Sequence, residues 1–308
     1  LETGLAAIKT TALTKAFGDS KAVDSLTLEI KKGELFGLVG PDGAGKTTTM
    51  RLLTAIMEPS AGEAWVAGHS ILREGERIKE KIGYMSQRFG LYEDLTVMEN
   101  IVFYADLYDV PHRERPARID RLLGFSNLTP FKDRLAGKLS GGMKQKLGLA
   151  CALIHTPEVL FLDEPTNGVD PVSRRDFWQI LYELRSEGIT IFVSTAYLDE
   201  AERCSRVALM HNGKILIDDL PARIKNSLGV PMVEVLTDGA RRAETIVRGI
   251  AGVRSVSMYG AKLHVALERK EALEHVVAGL EHGGVAVQET RGILPSLEDV
   301  FIAMVEGA

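Results

Sequence analysis

The sequence predicts an α/β domain carrying a helical insertion, followed by a smaller α+β domain. Three observations carry that expectation. Short apolar runs of the buried, parallel type alternate with amphipathic helical stretches from residue 8 to about 228, as at 34–39, 159–163 and 190–194. Between 89 and 157 the strand signals stop and helical periodicity takes over. Past Gly229 the order becomes strand, helix, strand, strand, helix, strand, which is that of a ferredoxin-like unit. The expected division is therefore 1–228, with a helical subdomain at about 89–157, and 229–308.

Each element has its own reason. Residues 34–39 form an apolar strand that runs into a glycine-rich turn, and 47–56 read as the helix after it. Residues 82–86 read as another strand. In the second domain strands are expected at 232–237, 253–259, 262–268 and 285–290, with helices at 241–249 and 270–280. Finally Leu297, Val300, Phe301, Met304 and Val305 fall on one face of a helix. Packing of that face on the small domain's own sheet is favoured over docking on a partner.

Composition narrows the function. The 308 residues are 45% hydrophobic and 26% charged, ordinary for a globular chain. A formal net charge of -5 argues against a broad nucleic-acid-binding surface. Cys151 and Cys204 lack metal-ligand spacing and read as small buried hydrophobes in a reduced compartment. No run reaches the ~18 to 20 apolar residues of a spanning helix; the best stretch, 147–162, is broken by His155, Pro157 and Glu158. With no signal-peptide pattern at the N-terminus, a cytoplasmic chain is expected, with any membrane role reached through a partner.

The chemistry lies in three segments. Gly40-Pro41-Asp42-Gly43-Ala44-Gly45-Lys46-Thr47 matches G-x-x-x-x-G-K-[ST] between an expected strand and an expected helix. Gly40, Gly43 and Gly45 permit close backbone approach, so free N–H groups and the helix N-terminus can cradle phosphates. Lys46 can reach the β- and γ-phosphates, Thr47 can offer its hydroxyl to Mg²⁺, and Thr48 can donate to the α-phosphate. The second segment is an apolar strand ending in two carboxylates. Asp163 can hold the Mg²⁺ shell, and Glu164 can polarise the water that attacks the γ-phosphate. In the third, Ser140 is a natural N-cap, and Gly141 and Gly142 keep the following helix start bare, again a phosphate-seeking terminus. A second such terminus calls for a second nucleotide or a second chain.

With these segments in place, residues 8–225 resemble an ABC transporter nucleotide-binding domain, a P-loop NTPase. The matching pieces are the phosphate loop, Gln87 after the 82–86 strand, Leu139-Ser140-Gly141-Gly142, Asp163-Glu164 and Gly168-Val169-Asp170. The resemblance implies that two cassettes pack head to tail, each ATP lying between one phosphate loop and the opposite signature. The second cassette could be another copy, a different chain or a tandem domain, and a membrane-spanning permease would complete the exporter, with this chain peripheral on the inner face of the membrane. It further implies Phe17 as the adenine-stacking aromatic, although a lone Phe is more often core. Gln87 becomes a catalytic, Mg²⁺ and coupling residue, and Asp170 a contact across the interface. The segment 229–308 is similar to the C-terminal extension of bacterial drug-resistance exporters. Residues 40–43 and 135–151 look like the first cassette of tandem multidrug-export ATPases. Residues 90–100 resemble the same subgroup, or simply a capped helix start, and the segment 89–100 is where the permease would dock. A soluble, non-transport ABC ATPase and a nucleotide-sensing module are the alternative functions.

Two positions depart from the pattern. Met143 stands where the signature usually has Gln. Ala196 stands where the family has the histidine that contacts the γ-phosphate. Losing one positioned polar group commonly costs on the order of 10²- to 10³-fold in rate, so slow hydrolysis is expected. The seven histidines do not fill that slot and form no metal pattern.

Overall fold

A computed structural model describes residues 6–87 and 90–306. Phe89, expected at the start of the insertion and of the docking segment, lies outside the described residues. The chain divides into two units, Leu1–Ile215 and Leu216–Ala308.

The first unit begins with two long strands, β1 (Ala6–Phe17) and β2 (Ser20–Lys31), then β3 (Leu35–Val39) and helix α1 (Lys46–Leu53). Next come β4 (Ala61–Val66), β5 (His69–Ser70), α2 (Gly75–Lys81) and β6 (Ile82–Met85). Three α-helices follow without an intervening strand among the described residues: α3 (Val97–Leu107), α4 (Arg115–Phe125) and α5 (Gly141–Leu153). The unit continues through β7 (Val159–Asp163), α6 (Pro171–Ser186), β8 (Thr190–Thr195), α7 (Leu198–Ala201) and β9 (Arg206–His211). The division between units falls within β10 (Lys214–Asp219).

Two sheets build this unit. One is antiparallel, in the order β2-β1-β4-β5. The other runs β10-β9-β3-β8-β7-β6, with β9, β3, β8, β7 and β6 joined by parallel pairings. Strands β3, β7 and β8 are buried along their whole length, which is why their sequences are continuous apolar runs. Phe36, Phe192 and Phe161 lie directly opposite one another across β3, β8 and β7. Their ring centroids are 5.4 and 5.5 Å apart. This aromatic row pins the register. It brings three strand ends level, with Val39 opposite Thr195 and Asp163 opposite Ser194. In parallel sheets, ligand clefts form beyond such carboxyl ends.

The second unit holds α8 (Pro221–Asn226), β11 (Met232–Thr237), α9 (Ala240–Arg248), β12 (Val253–Tyr259), β13 (Lys262–Leu267), α10 (Ala272–His282), β14 (Val287–Ile293) and α11 (Leu297–Glu306). The sheet order β12-β13-β11-β14, antiparallel throughout, is the ferredoxin-like topology expected. The contact division comes earlier than the composition change at Gly229, because α8 packs with α11. β14 also starts later than expected. Gly284, at φ +68, and the Val285 N–H, bonded to the Leu280 carbonyl at 2.9 Å, close the end of α10 instead.

Alternation sends Val235, Leu263 and Val265 into a core with α9 and α10, and leaves Glu234 and His264 on the other face. There Asp299 of α11 meets His264 at 3.1 Å. Burial opposes ionisation of Glu234, yet hydrogen bonds from Lys262 and Arg291 hold its carboxyl below the ordinary range. The buried stripe of α11 runs through Leu297, Asp299, Val300 and Ala303, whereas Phe301, Met304 and Val305 are only partly covered. No helix among the described residues is long and apolar enough to cross a membrane.

Candidate functional site

The phosphate loop leaves β3 and closes over its own lysine. Gly40 donates its N–H to the Thr195 carbonyl at 3.3 Å, and Ala44 to Pro41 at 3.1 Å. A Cβ on Gly40 would lie 2.2 Å from the Met210 carbonyl oxygen, and one on Gly45 would lie 2.1 Å from that of Ala22. Gly45 also adopts φ +109, so glycine is required there twice over. Lys46, 4% exposed, donates to the carbonyls of Gly40 at 2.7 Å and Pro41 at 3.1 Å. Its Nζ pairs with Glu164 Oε1 at 3.1 Å.

The ends of β7 and β8 supply the facing wall. Asp163 Oδ1 accepts from Ser194 Oγ at 2.6 Å and from Thr47 Oγ1 at 3.2 Å. Asp163 Oδ2 is buried and has no hydrogen-bond partner. An orphaned carboxylate oxygen beside the Thr47 hydroxyl is a donor set that fits Mg²⁺, which takes one or two protein oxygens and completes its shell from phosphates and water. No cluster of three His, Cys, Asp or Glu side chains with metal-site geometry occurs among the described residues. Glu164 sits at φ 49, and its N–H is held by the Ser194 carbonyl at 3.2 Å and hydroxyl at 3.0 Å. Its Oε2 accepts from Gln87 Nε2 at 3.0 Å and from Asn167 Nδ2 at 3.4 Å.

These residues line one cleft of about 390 Å³: Ala22, Asp42, Gly43, Gly45, Lys46, Thr47, Thr48, Gln87, Glu164 and Asn167. Loop amides, the Lys46 ammonium and the Thr47 and Thr48 hydroxyls face the Glu164 carboxylate there, an arrangement suited to gripping a polyphosphate and activating water beside it. Ala22, Asn167 and Ser194 were not among the sequence candidates.

The other sequence candidates do not line this cleft. Ser140 caps α5 by accepting from the Met143 N–H at 3.3 Å. Ser140 and Gly141 are exposed and turned away from the sheet core. Gly142 is needed for packing, since a Cβ there would lie 2.4 Å from Ser173 Cβ. Asp170 caps α6, its Oδ1 accepting from Val172 at 3.1 Å and Ser173 at 2.9 Å. The Ser173 hydroxyl, then its N–H, hold the Asp170 carboxyl below its ordinary range. Phe17 ends β1, is 53% exposed and lies under the Lys15 ammonium at 5.3 Å. Ala196, partly exposed beyond β8, presents only a methyl group.

Residues 23–167 match the ABC transporter family, and 221–305 match the C-terminal domain of DrrA1-3-like ATP-binding proteins. An Escherichia coli K12 protein described as a probable multidrug ABC transporter ATP-binding protein, YbhF, is 42% identical over 94% of this chain. The chain spans about half, 50%, of that relative's length. The daunorubicin resistance ATP-binding protein DrrA2 of Streptomyces coeruleorubidus is 35% identical over 97% of this chain and 94% of its own. Among solved structures, the dimeric post-hydrolysis state of the ATP-binding cassette MJ0796, bound to ADP and phosphate, is similar. Its TM-score is 0.63 at 26% identity, covering 69% of this chain and 98% of that one.

Proposed function

The chain belongs to the family of ABC transporter ATP-binding proteins, and on that premise we propose that it binds and hydrolyses ATP as one cassette of a pair, driving export through a membrane-spanning permease. The observation that carries the reading is the meeting of Lys46, Thr47 and Glu164 in one cleft, with Asp163 bonded to Thr47 behind it, at a loop whose Gly40 and Gly45 leave no room for a Cβ. Small-molecule export is supported by the multidrug and daunorubicin-resistance names of the relatives. The cargo itself passes through the permease and is not read by these residues.

Each residue then has a task. The loop amides and Lys46 Nζ hold the β- and γ-phosphates. Thr47 Oγ1 and Asp163 would hold Mg²⁺, with Gln87 in the cleft beside Thr47; when bound, the ion would supply positive charge against the phosphates. Glu164 takes the proton of the attacking water, whose oxygen bonds to the γ-phosphorus as ADP leaves. Ser140, Gly141 and Gly142 supply amides to the nucleotide of the opposing cassette, with Asp170 beside the same contact. Phe17 stacks on adenine. Ala196 offers no donor to the γ-phosphate, so hydrolysis at this site is slow and the pair is asymmetric when its other cassette keeps a histidine.

Phosphate release by the full chain with Mg²⁺ and ATP tests both parts. Glu164→Gln lowers the rate at least about 100-fold while nucleotide binding persists. Ala196→His raises it by about 10-fold or more. Release that does not depend on Glu164 sinks the ATPase reading. Fast release unaffected by Ala196→His sinks only the slow-site reading.

A further inference from the structure

We propose that Tyr197 is a positioning residue for Glu164, acting through Asn167 in a site that lacks the imidazole at position 196. This rests on the reading of Glu164 as the residue that takes the water's proton.

The contacts form a directed chain. The Tyr197 hydroxyl donates to Asn167 Oδ1 at 3.3 Å, and Asn167 Nδ2 donates to Glu164 Oε2 at 3.4 Å. Gln87 donates to the same oxygen at 3.0 Å, and Lys46 holds Oε1 at 3.1 Å. Asn167 is the link that can fail. Its amide has a donor end and an acceptor end of nearly equal size, and a half-turn about its terminal torsion exchanges them. Reversed, it would set an oxygen against the Glu164 carboxylate and push it aside. Glu164, an acceptor only, selects the productive orientation, and the Tyr197 hydroxyl, donating to the Asn167 oxygen, holds the side chain in that place.

The phenol is itself anchored. The Arg174 guanidinium lies 4.7 Å from the ring centroid. Arg174 pairs with Glu200 at 3.3 Å. Glu200, with no exposed surface, accepts from Thr166 Oγ1 at 2.6 Å and from Thr195 Oγ1 at 3.0 Å. The Tyr197 N–H bonds to Thr195 Oγ1 at 3.0 Å. The ring is therefore tied to the loop after β7 and to the end of β8, the two segments that also carry Glu164 and Ser194.

Steady-state ATP hydrolysis by the full chain, with kcat and KM separated, tests the assignment. Tyr197→Phe removes the hydroxyl and keeps the ring over Arg174. It lowers kcat about 3- to 10-fold, the worth of one net hydrogen bond, and leaves KM and the melting temperature unchanged. Asn167→Ala lowers kcat at least as far, and the double variant falls no further than Asn167→Ala alone. A kcat for Tyr197→Phe equal to wild type, losses that multiply in the double variant, or a KM that rises with kcat unchanged would overturn the proposal. Glu164→Gln, run alongside, separates the two readings. If it abolishes release while Tyr197→Phe does nothing, only the role of Tyr197 falls. If it has no effect, the reading of the site falls too.

Discussion

Two helices of the first unit open on glycine-rich turns, and their surroundings are opposite. The start of α1 is enclosed: Lys46 is 4% exposed, and a Cβ on Gly45 would strike the Ala22 carbonyl. Asp163, Glu164 and Gln87 all gather against that turn. The start of α5 faces outward. A Cβ on Gly141 would meet no heavy atom within 4 Å, and among the described residues the side chain capping the amides there is the helix's own Ser140. The same peptide chemistry thus yields one turn enclosed by its own chain and one left open to solvent. That difference supports the proposed pairing, in which the chain would grip a nucleotide with one turn and offer the other to a neighbour.

Three experiments can break or sharpen the contrast. The largest effect is expected at the enclosed turn. Lys46→Ala should weaken ATP binding by the single chain about 10- to 100-fold, the loss of charge-assisted hydrogen bonds to phosphate. Equilibrium titration with a fluorescent ATP analogue measures it, and unchanged affinity would remove Lys46 from the cradle.

At the outward turn, Gly141→Ala should leave single-chain ATP affinity within about twofold, since surface changes are usually within ±0.5 kcal/mol. ATP-driven pairing, followed by sedimentation, should weaken by about 10-fold from crowding of a close contact. If affinity and pairing decline together, the two turns are not separate in function.

The smallest effect comes from the far end of α5. His155 stacks on Tyr108 with centroids 3.9 Å apart and meets the Ile82 carbonyl at 2.9 Å. Burial, the main cause, pushes its pKa below the ordinary 6.5. The folded state therefore holds fewer protons than the unfolded chain, so the stabilisation is complete above pH 6.5 and is lost as pH falls toward the folded value. Between pH 7.5 and 5.5 the melting temperature of the first unit should fall by about 2–4 °C, and His155→Gln should flatten that slope. An equal slope in the variant would assign it to other groups.

Much of the cleft was legible in the sequence because its parts are local. A glycine run between a strand and a helix, and two carboxylates after an apolar strand, state their geometry within a few residues. Asn167, Tyr197 and Glu200 gave no such signal. Their roles arise from hydrogen bonds between the segments after β7 and β8, Tyr197 to Asn167 and Thr166 to Glu200, about thirty residues apart, and the register set by Phe36, Phe161 and Phe192 brings those ends level. Gly142 was read as a bare helix start, but its packing against Ser173 on α6 is equally a tertiary matter. In the fold, β3, β7 and β8 were plain as buried runs. The twelve-residue strand β1 was not, because register shifts between Thr10 and Leu13, with Ala12 at φ 47, break the two-residue alternation that marks a strand; β2 alternates cleanly from Leu26 to Lys31 and was legible but not read. The small domain was readable in its order of elements, and less so where Gly284 moved the start of β14.

The backbone of Glu164, at φ 49, lies where any side chain costs about 1–2 kcal/mol and glycine almost nothing. A glycine there would relieve that backbone cost but leave the buried Lys46 ammonium without its carboxylate partner, so the strained backbone and the ion pair are held together by one side chain.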